Sequence, residues 1–327
     1  MKQFYRTKMK EIIAPIDKDL IKSELTIDRF LRTTNKANNE IYVVNAHNAP
    51  NTMREIGRLR ELAFRTAGGG SGEETDTDEF DYLDIPYEQL IVWNPDADEI
   101  IGGYRFFYGK NAIIKSNGQP HIAMEHLFDF SAQFIADYLP YTMEMARAFV
   151  QPKYQSSQMG VKSLFALDNL WDGIGALIAL IGDVKYLMGK VTIYPHMNEE
   201  ARWAIIYFMA HFFGHQVEFM CPKHPLQIPP HLVQEFEKYF TEKDYKDNFR
   251  LLNSYVKQRK ESIPPLIHAY IELSSSMQTY GTAQDPDFGS IFDTAMMITI
   301  DDIYEAKRAR YVETFIQTRL GEIPKSL

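Results

Sequence analysis

The sequence predicts an α/β or α+β enzyme fold, and three observations support this. The chain has 327 residues, of which 45% are hydrophobic, so it can bury a large core. Short apolar runs typical of strands alternate with longer segments of helical periodicity. Along the chain these segments read helix, strands, long helix, strand, helix, so a strand feeds a helix and then another strand, as in a βαβ unit.

The first third of the chain is predicted to hold two helices and a hairpin. The predicted helices are residues 12–32 and 52–65, and the predicted strands are residues 40–45, 88–93 and 99–107. The second helix ends at Gly68-Gly69-Gly70, which is a strong stop signal. The last two strands flank Asn94-Pro95-Asp96-Ala97-Asp98, whose turn chemistry predicts a β-hairpin.

Longer helices dominate the rest of the chain. Apolar periodicity predicts helices at residues 125–139, 160–181, 199–213, 229–260 and 301–318. Apolar runs predict strands at residues 141–150, 186–194 and 294–300. Periodicity alone therefore gives a mixed fold but no reaction.

Composition narrows the classes of partner and compartment. The net charge of −9 argues against a nucleic-acid partner. No apolar run approaches the length of a membrane-spanning helix, and the N-terminus lacks the apolar region of a secretory signal. Cys221 has no second cysteine with which to form a disulfide. We therefore expect a cytoplasmic protein.

Several sequence features invite a functional interpretation that their surroundings do not support. Seven of the twelve residues from Glu73 to Asp84 are acidic, and the simplest interpretation is a solvated loop. The glycines of residues 68–72 are not followed by the Lys-Ser/Thr of a P-loop. His211 and His215 lack the Glu of a zinc-binding HExxH motif, so we predict no metal site.

Four segments in order resemble one family. They are Leu59-Arg60-Glu61-Leu62-Ala63-Phe64-Arg65, Asp78-Glu79-Phe80-Asp81, Ile101-Gly102-Gly103-Tyr104-Arg105-Phe106, and Glu144-Met145-Ala146-Arg147 leading to Gln151-Pro152-Lys153-Tyr154-Gln155. Together they resemble the GNAT branch that makes ornithine and glycine lipids, often labelled "hemolysin-like", and are similar to the acyl-homoserine-lactone synthases. The resemblance extends over residues 10 to 315.

The resemblance implies a fold and a domain organisation. It implies a GNAT-like mixed central sheet flanked by helices, with a helical insertion and a C-terminal extension. Residues 1–39 would form an N-terminal helix on the core, and residues 40–220 the acyltransferase core. Residues 221–327 would complete the same fold.

Two residues of the fourth segment are the candidate catalytic residues. Making an amide from a thioester needs a neutral amine, and Glu144 is the best candidate to accept its proton. Residues three apart in a regular strand face opposite sides, but the β-bulge that the resemblance implies would bring Glu144 and Arg147 to one face. The alternative is that the two form a structural ion pair.

The first three segments supply candidate substrate-binding residues. Buried arginines must be paired, and Asp78 and Asp81 could pair with Arg60 and Arg105. These charges would order a loop over the active site and help to bind the substrate carboxylate, or they would form a scaffold of ion pairs. Phe64 would lie near the acyl site by resemblance, although a core position is the simpler interpretation.

The loop before the long helix would hold the pantetheine phosphate of the acyl donor, since helix N-termini favour anions. Its candidate residues are Gln155, Ser156, Gly160 and Val161. The glycine that GNAT enzymes usually carry in the middle of this loop is missing. This favours acyl carrier protein, whose prosthetic group has one phosphodiester, over coenzyme A as the donor.

We therefore expect an N-acyltransferase that moves a (3-hydroxy)fatty acyl group from acyl carrier protein to the α-amine of glycine or ornithine, the first step towards an aminolipid. No cofactor would be bound permanently, because the acyl thioester is a co-substrate. Peripheral membrane contact is a further expectation. The alternatives are an acetyl-coenzyme-A-dependent GNAT N-acetyltransferase and a non-catalytic protein that binds acyl carrier or a membrane surface.

Overall fold

The computed structural model describes residues 9–155 and 161–322, with the side chains of residues 161–164 and 320–322 left out. The chain divides into two compact units, each assembled from separate stretches. Unit 1 comprises Met1–Phe107, Glu144–Val184 and Glu305–Leu327, and unit 2 comprises Tyr108–Met143 and Lys185–Tyr304. The predicted boundaries after residues 39 and 220 stay a prediction.

Unit 1 is built on strands in the order β1-β2-β3-β4-β6. Their bounds are Phe30–Thr33 (β1), Glu40–Val44 (β2), Glu88–Asn94 (β3), Glu99–Tyr108 (β4) and Thr142–Val150 (β6). Neighbouring strands from β1 to β4 are antiparallel. Strands β3 and β4 pair directly, which confirms the predicted hairpin.

Amphipathic and apolar helices cover the strands of unit 1. Their bounds are Lys18–Glu24 (α1), Pro50–Thr66 (α2), Pro152–Gln155 (α3), Val161–Ile181 (α4), Glu305–Arg308 (α9) and Thr314–Glu322 (α10). Helix α2 buries Met53, Ile56 and Leu59 in one core with Ile91 and Phe149. The predicted second helix and the predicted long helix are therefore confirmed.

A glycine lets two strands of unit 1 approach closely. A Cβ atom on Gly102 would lie 2.4 Å from the carbonyl oxygen of Phe149, a backbone atom that cannot rotate away. Only glycine fits such a position. Gly102 and Gly103 therefore set the distance between β4 and β6. These two glycines come directly before Tyr104 and Arg105 in β4.

The stretch that contains α9 and α10 packs back onto α4 and the N-terminal strands. The Tyr311 hydroxyl donates to Asp168 at 2.7 Å, and Arg310 pairs with the same carboxylate. One turn further along α4, Asp172 accepts hydrogen bonds from the backbone N and the Nδ2 of Asn35 at 2.8 and 2.6 Å. Partly buried polar contacts thus join all three stretches of unit 1.

Unit 2 contains three paired strands of the main sheet, a two-stranded ribbon and four α-helices. The antiparallel sheet has the order β7-β10-β9, and β5 pairs with β8 in the ribbon. The strands are Phe128–Phe130 (β5), Tyr186–Ile193 (β7), Met220–Pro222 (β8), Gln278–Asp285 (β9) and Ile291–Thr299 (β10). The helices are Glu199–Phe213 (α5), Pro230–Tyr239 (α6), Tyr245–Gln258 (α7) and Pro265–Ile271 (α8).

Two predicted helices are wrong. Within residues 12–32 only α1 is helical, because Asp17 caps its start and the helix ends at Leu25 before a turn leads into β1. The periodicity there was misleading, since Ile27 is 85% exposed. In residues 125–139 the first part forms β5, because Phe128–Phe130 pairs with Met220–Pro222, and Phe134–Tyr138 forms only a short π-helix. Tertiary pairing overrides local propensity at this site.

The architecture confirms the predicted mixed fold. Antiparallel strands and helices share each unit, as an α+β chain requires. Strands β1, β5, β8 and β9 and helix α8 were not predicted, and most of them are short. No helix within residues 9–155 and 161–322 combines the length and the apolar character needed to cross a bilayer.

Candidate active site

The acidic loop of unit 1 fits its interpretation as a solvated loop only in part. Glu73, Glu74, Glu79 and Asp84 are exposed, but Asp76 and Asp81 fold inwards. Asp76 and Asp81 are 1% and 0% exposed. Asp78 and Asp81 form a capping box around a short turn, in which the Asp78 carboxylate accepts from the N–H of Phe80 and the Asp81 carboxylate accepts from the N–H of Asp78. Arginine partners allow these carboxylates to be buried.

Arg60 extends from α2 into this loop and is 1% exposed. Its Nη1 lies 3.3 Å from Asp81, and its Nη2 donates to Gln89 on β3. Gln89 in turn donates to Asp81 at 3.0 Å. Burial lowers the pKa of Arg60, and the nearby carboxylate of Asp81 opposes this shift.

Arg105 on β4 is the second buried arginine and is also 1% exposed. Its Nη1 lies 2.6 Å from Asp78 and 3.4 Å from Asp81. Burial acts to raise the pKa of Asp78, but Arg105 and then Arg147 outweigh it and hold that pKa below its usual range. The predicted pairing of the two arginines with Asp78 and Asp81 is present.

Glu144 lies on β6 and is 1% exposed. Its carboxylate accepts a hydrogen bond from the hydroxyl of Tyr87, which precedes β3 and is 0% exposed. Tyr87 is not among the predicted site residues, because an aromatic residue at the start of an apolar strand is normally part of the core. A donor to the carboxylate stabilises its charged form and fixes the direction in which its oxygens point.

Arg147 adopts a left-handed backbone conformation in the middle of β6, with φ of +48°. Such a conformation costs a non-glycine residue on the order of 1–3 kcal/mol. Its Nε lies 3.1 Å from Asp76 and its Nη2 lies 3.5 Å from Asp78. The first contact is an ion pair without the angle of a hydrogen bond. The sequence analysis did not single out Asp76.

The local twist at Arg147 explains how Glu144 and Arg147 join one network. Arg147 contacts Asp78, which contacts Arg105, and the Arg105 guanidinium lies 5.0 Å from the centre of the Tyr87 ring. Tyr87 then donates to Glu144. A left-handed residue breaks the strict alternation of a strand, as a bulge does. Each of the two side chains has a partner in this network: Glu144 binds Tyr87, and Arg147 binds Asp76 and Asp78.

The remaining predicted site residues lie at the edge of this network or outside the described part of the chain. Phe64 is partly buried against the core of unit 1. The Nε2 of Gln155 donates to the carbonyl of Val150 at 2.5 Å. Val161 begins α4, but its side chain is not described, and Ser156 and Gly160 lie outside the described residues.

Histidines elsewhere have structural contacts. The rings of His211 and His215 stack on Tyr207 and Tyr280. In unit 2, ligand atoms of His126, Asp285 and Asp287 lie within 4.8 Å of one another. Asp285 and Asp287 are distant from His126 in the chain, so sequence spacing does not predict this cluster.

The residues of this network lie within a segment that matches a known protein family. Residues 59–164, which contain Arg60, Asp78, Arg105, Glu144 and Arg147, match the family model described as an acetyltransferase (GNAT) domain. A glycine N(alpha)-acyltransferase of Bacteroides thetaiotaomicron is 47% identical over 95% of this chain and 92% of its own length. The chain belongs to the GNAT acyltransferases. A glycine N(alpha)-acyltransferase of Phocaeicola vulgatus is 46% identical over 94% of both chains.

Membership identifies this GNAT protein as an N-acyltransferase and confirms the resemblance drawn from its motifs. Among solved structures, a CoA-dependent acyl-homoserine lactone synthase is 12% identical and covers 61% of this chain and 88% of its own, with a TM-score of 0.28. That likeness is too remote to support a conclusion. An acyl donor and an amino-acid acceptor are the substrates that the family's reaction requires.

Proposed function

We propose that this GNAT acyltransferase moves a fatty acyl group from acyl carrier protein to the α-amine of glycine, as the first step of aminolipid synthesis. The observation that carries the proposal is the match to two glycine N(alpha)-acyltransferases over more than nine tenths of the chain. Of the two amino acids that the motifs left open, this match favours glycine over ornithine.

The proposed reaction assigns Glu144 and Arg147 different tasks. Glu144 takes a proton from the ammonium group of glycine, directly or through water, and the freed amine attacks the thioester carbonyl. The C–N bond forms, and the C–S bond of the tetrahedral intermediate then breaks. The carrier thiolate takes up a proton and leaves as a thiol. Backbone N–H groups released by the distorted β6 strand would stabilise the oxyanion.

Arg147 is the best candidate to bind the glycine carboxylate. Its side chain is 22% exposed, whereas those of Arg60 and Arg105 are 1% and 2% exposed. A substrate that enters from solvent can therefore reach Arg147 more readily. Arg60, Arg105, Asp78 and Asp81 then act on substrate indirectly, by ordering the loop, and this favours the scaffold interpretation of their ion pairs.

The donor assignment rests on the loop between β6 and α4, including Gln155, Ser156, Gly160 and Val161. This segment lacks the glycine that usually stands in the middle of the loop that binds the coenzyme A pyrophosphate. Acyl carrier protein presents a single phosphodiester and fits the loop better. A cytoplasmic enzyme that delivers its lipid product to a bilayer would also contact the membrane surface peripherally.

A donor and acceptor panel tests this function. The purified protein is incubated with palmitoyl-acyl carrier protein or palmitoyl-coenzyme A and with glycine, ornithine or serine, and products are identified by mass spectrometry. We expect N-palmitoylglycine from the carrier donor, and far less from Glu144→Gln. Formation of N-acetylglycine from acetyl-coenzyme A alone would favour the N-acetyltransferase alternative, and no product would favour the non-catalytic one.

A further inference from the structure

Tyr87 is completely buried and is held by aromatic neighbours on two sides. Its ring stacks on Phe107 with a centroid distance of 4.5 Å and an interplanar angle of 14°. Phe80 meets it edge-on at 5.4 Å, and the Tyr87 N–H donates to the Phe80 carbonyl at 2.9 Å. A ring packed in this way has one orientation, so its hydroxyl also points in one direction.

That hydroxyl donates to the Oε2 of Glu144. The other contact of functional interest is on the ring face, where the Arg105 guanidinium lies 5.0 Å from the ring centre. Cations are attracted to the face of an aromatic ring at this distance. Arg105 is itself fixed by Asp78 at 2.6 Å. Tyr87 is thus the physical connection between the Asp78–Arg105 pair and Glu144.

We propose that Tyr87 is a positioning residue, which holds the Glu144 carboxylate in the orientation needed to accept the amine proton. The proposal rests on the function proposed above, in which Glu144 is that acceptor. A flexible carboxylate loses much of its value as a base, because proton transfer requires hydrogen-bond distance and alignment. The buried phenol supplies that alignment without itself reaching the substrate.

A pair of tyrosine variants with matched chemistry tests the proposal. Tyr87→Phe removes only the hydroxyl. Tyr42→Phe is the control, because Tyr42 is also buried in unit 1 and also donates to a glutamate, Glu40 Oε2, at 2.8 Å. Steady-state kcat and KM are measured with palmitoyl-acyl carrier protein and glycine, and unfolding midpoints are measured beside them.

We expect Tyr87→Phe to lower kcat about ten-fold to a hundred-fold, the scale of a hydrogen bond to a charged group. KM for glycine should stay at the wild-type value and Tyr42→Phe should leave kcat unchanged. The unfolding midpoint of Tyr87→Phe should fall, because the buried Glu144 carboxylate loses a donor, but the variant should remain folded at the assay temperature. In a Glu144→Gln background, Tyr87→Phe should cost little more, because the residues act as a unit.

Other outcomes separate the failure of this proposal from failure of the proposed function. Wild-type kcat in Tyr87→Phe, together with a strong loss in Glu144→Gln, would overturn the role of Tyr87 alone. A kcat loss for Tyr87→Phe that is just as large in the Glu144→Gln background would make Tyr87 a purely structural residue. Wild-type kcat in Glu144→Gln would remove the base itself, and the proposed mechanism with it.

Discussion

The Nη1 of Arg105 lies 2.6 Å from the Oδ1 of Asp78, and this contact fastens the acidic loop to β4. Arg105 is almost completely buried, whereas Asp78 keeps 30% of its side-chain exposure. The arginine therefore depends on the loop for neutralisation, because a buried charge without a partner is strongly destabilising. A substitution that breaks this contact should therefore leave the Arg105 charge without its nearest partner and destabilise the fold.

Asp78→Asn should lower the free energy of unfolding by about 2 kcal/mol, the scale of a hydrogen bond to a charged group. The pKa of Asp78 is lowered in the folded state, so the stabilisation is present above its unfolded pKa of about 3.9. It disappears as pH falls through the lower folded value. Urea unfolding of both proteins should show a constant difference from pH 7 to 5 that shrinks below pH 4. A difference independent of pH would contradict the ion-pair explanation.

Glu144→Gln should lower kcat about 10²-fold or more, because it removes a general base while keeping nearly the same shape. The Tyr87 hydroxyl can still donate to the amide oxygen, so the unfolding midpoint should change little.

Arg147→Lys should also lower turnover, since lysine cannot reproduce a guanidinium contact with Asp76 and Asp78. Loss of stability in proportion to activity would instead indicate structural roles.

Acyl carrier protein thioesters should give a much higher kcat/KM than acyl-coenzyme A with the same acyl chain, since the loop before α4 lacks the middle glycine. Single-turnover and steady-state assays with both donors check this directly. Equal kcat/KM for the two donors would refute the donor assignment.

Carrier proteins are acidic, and we expect nearby lysines to attract them. The sequence offers four candidates on either side of α4: Lys153, Lys162, Lys185 and Lys190. Lys190 pairs with Asp293 at 2.7 Å and Lys153 pairs with Glu99 at 2.8 Å, but the Lys153 side chain is 49% exposed against 19% for Lys190, so Lys153 is the better test. Lys153→Glu should raise KM for the carrier and flatten its salt dependence. Lys257→Glu, on the exposed side of α7, is the control. An unchanged KM would refute this placement.

Asp172 should make stability depend on pH in the opposite direction to Asp78. Burial raises the pKa of Asp172 to about 6, against hydrogen bonds from Asn35 and the charge of Arg32. The folded state then keeps a proton that the unfolded state loses near pH 4, so stability falls as pH rises from about 4 to 6. Relative to Asp172→Asn, the wild type should lose roughly 2–3 kcal/mol across that range. A constant difference would contradict the shift.

The elements that sequence predicts well are those whose signal is local. Helix α2 combines an apolar face with a glycine stop, and β3 and β4 flank a turn, so neighbouring residues suffice to define them. The segment 125–139 has apolar spacing suited to a helix, but Phe128–Phe130 pairs with Met220–Pro222, about ninety residues away. No local pattern contains that information.

The residues of the candidate site also fall into those that the sequence predicts and those that it does not. Glu144, Arg147, Arg60, Arg105, Asp78 and Asp81 could be named from ordered motifs that resemble a family. Asp76 could not be distinguished from its acidic neighbours by composition, although folding buries it beside Arg147. Tyr87 joins Glu144 across 57 positions of the chain, and that pairing depends on how β3 and β6 are placed in unit 1.

The segmented make-up of unit 1 reverses the usual order of folding during synthesis. Domains generally fold as they leave the ribosome, with N-terminal ones first. Here both stretches of unit 2 have been synthesised once Tyr304 has emerged. Asp168 on α4 still awaits Arg310 and Tyr311 at that moment. A nascent chain that stalls between these points would hold all of unit 2 but only part of the unit that carries Glu144, so we expect activity to appear late in translation.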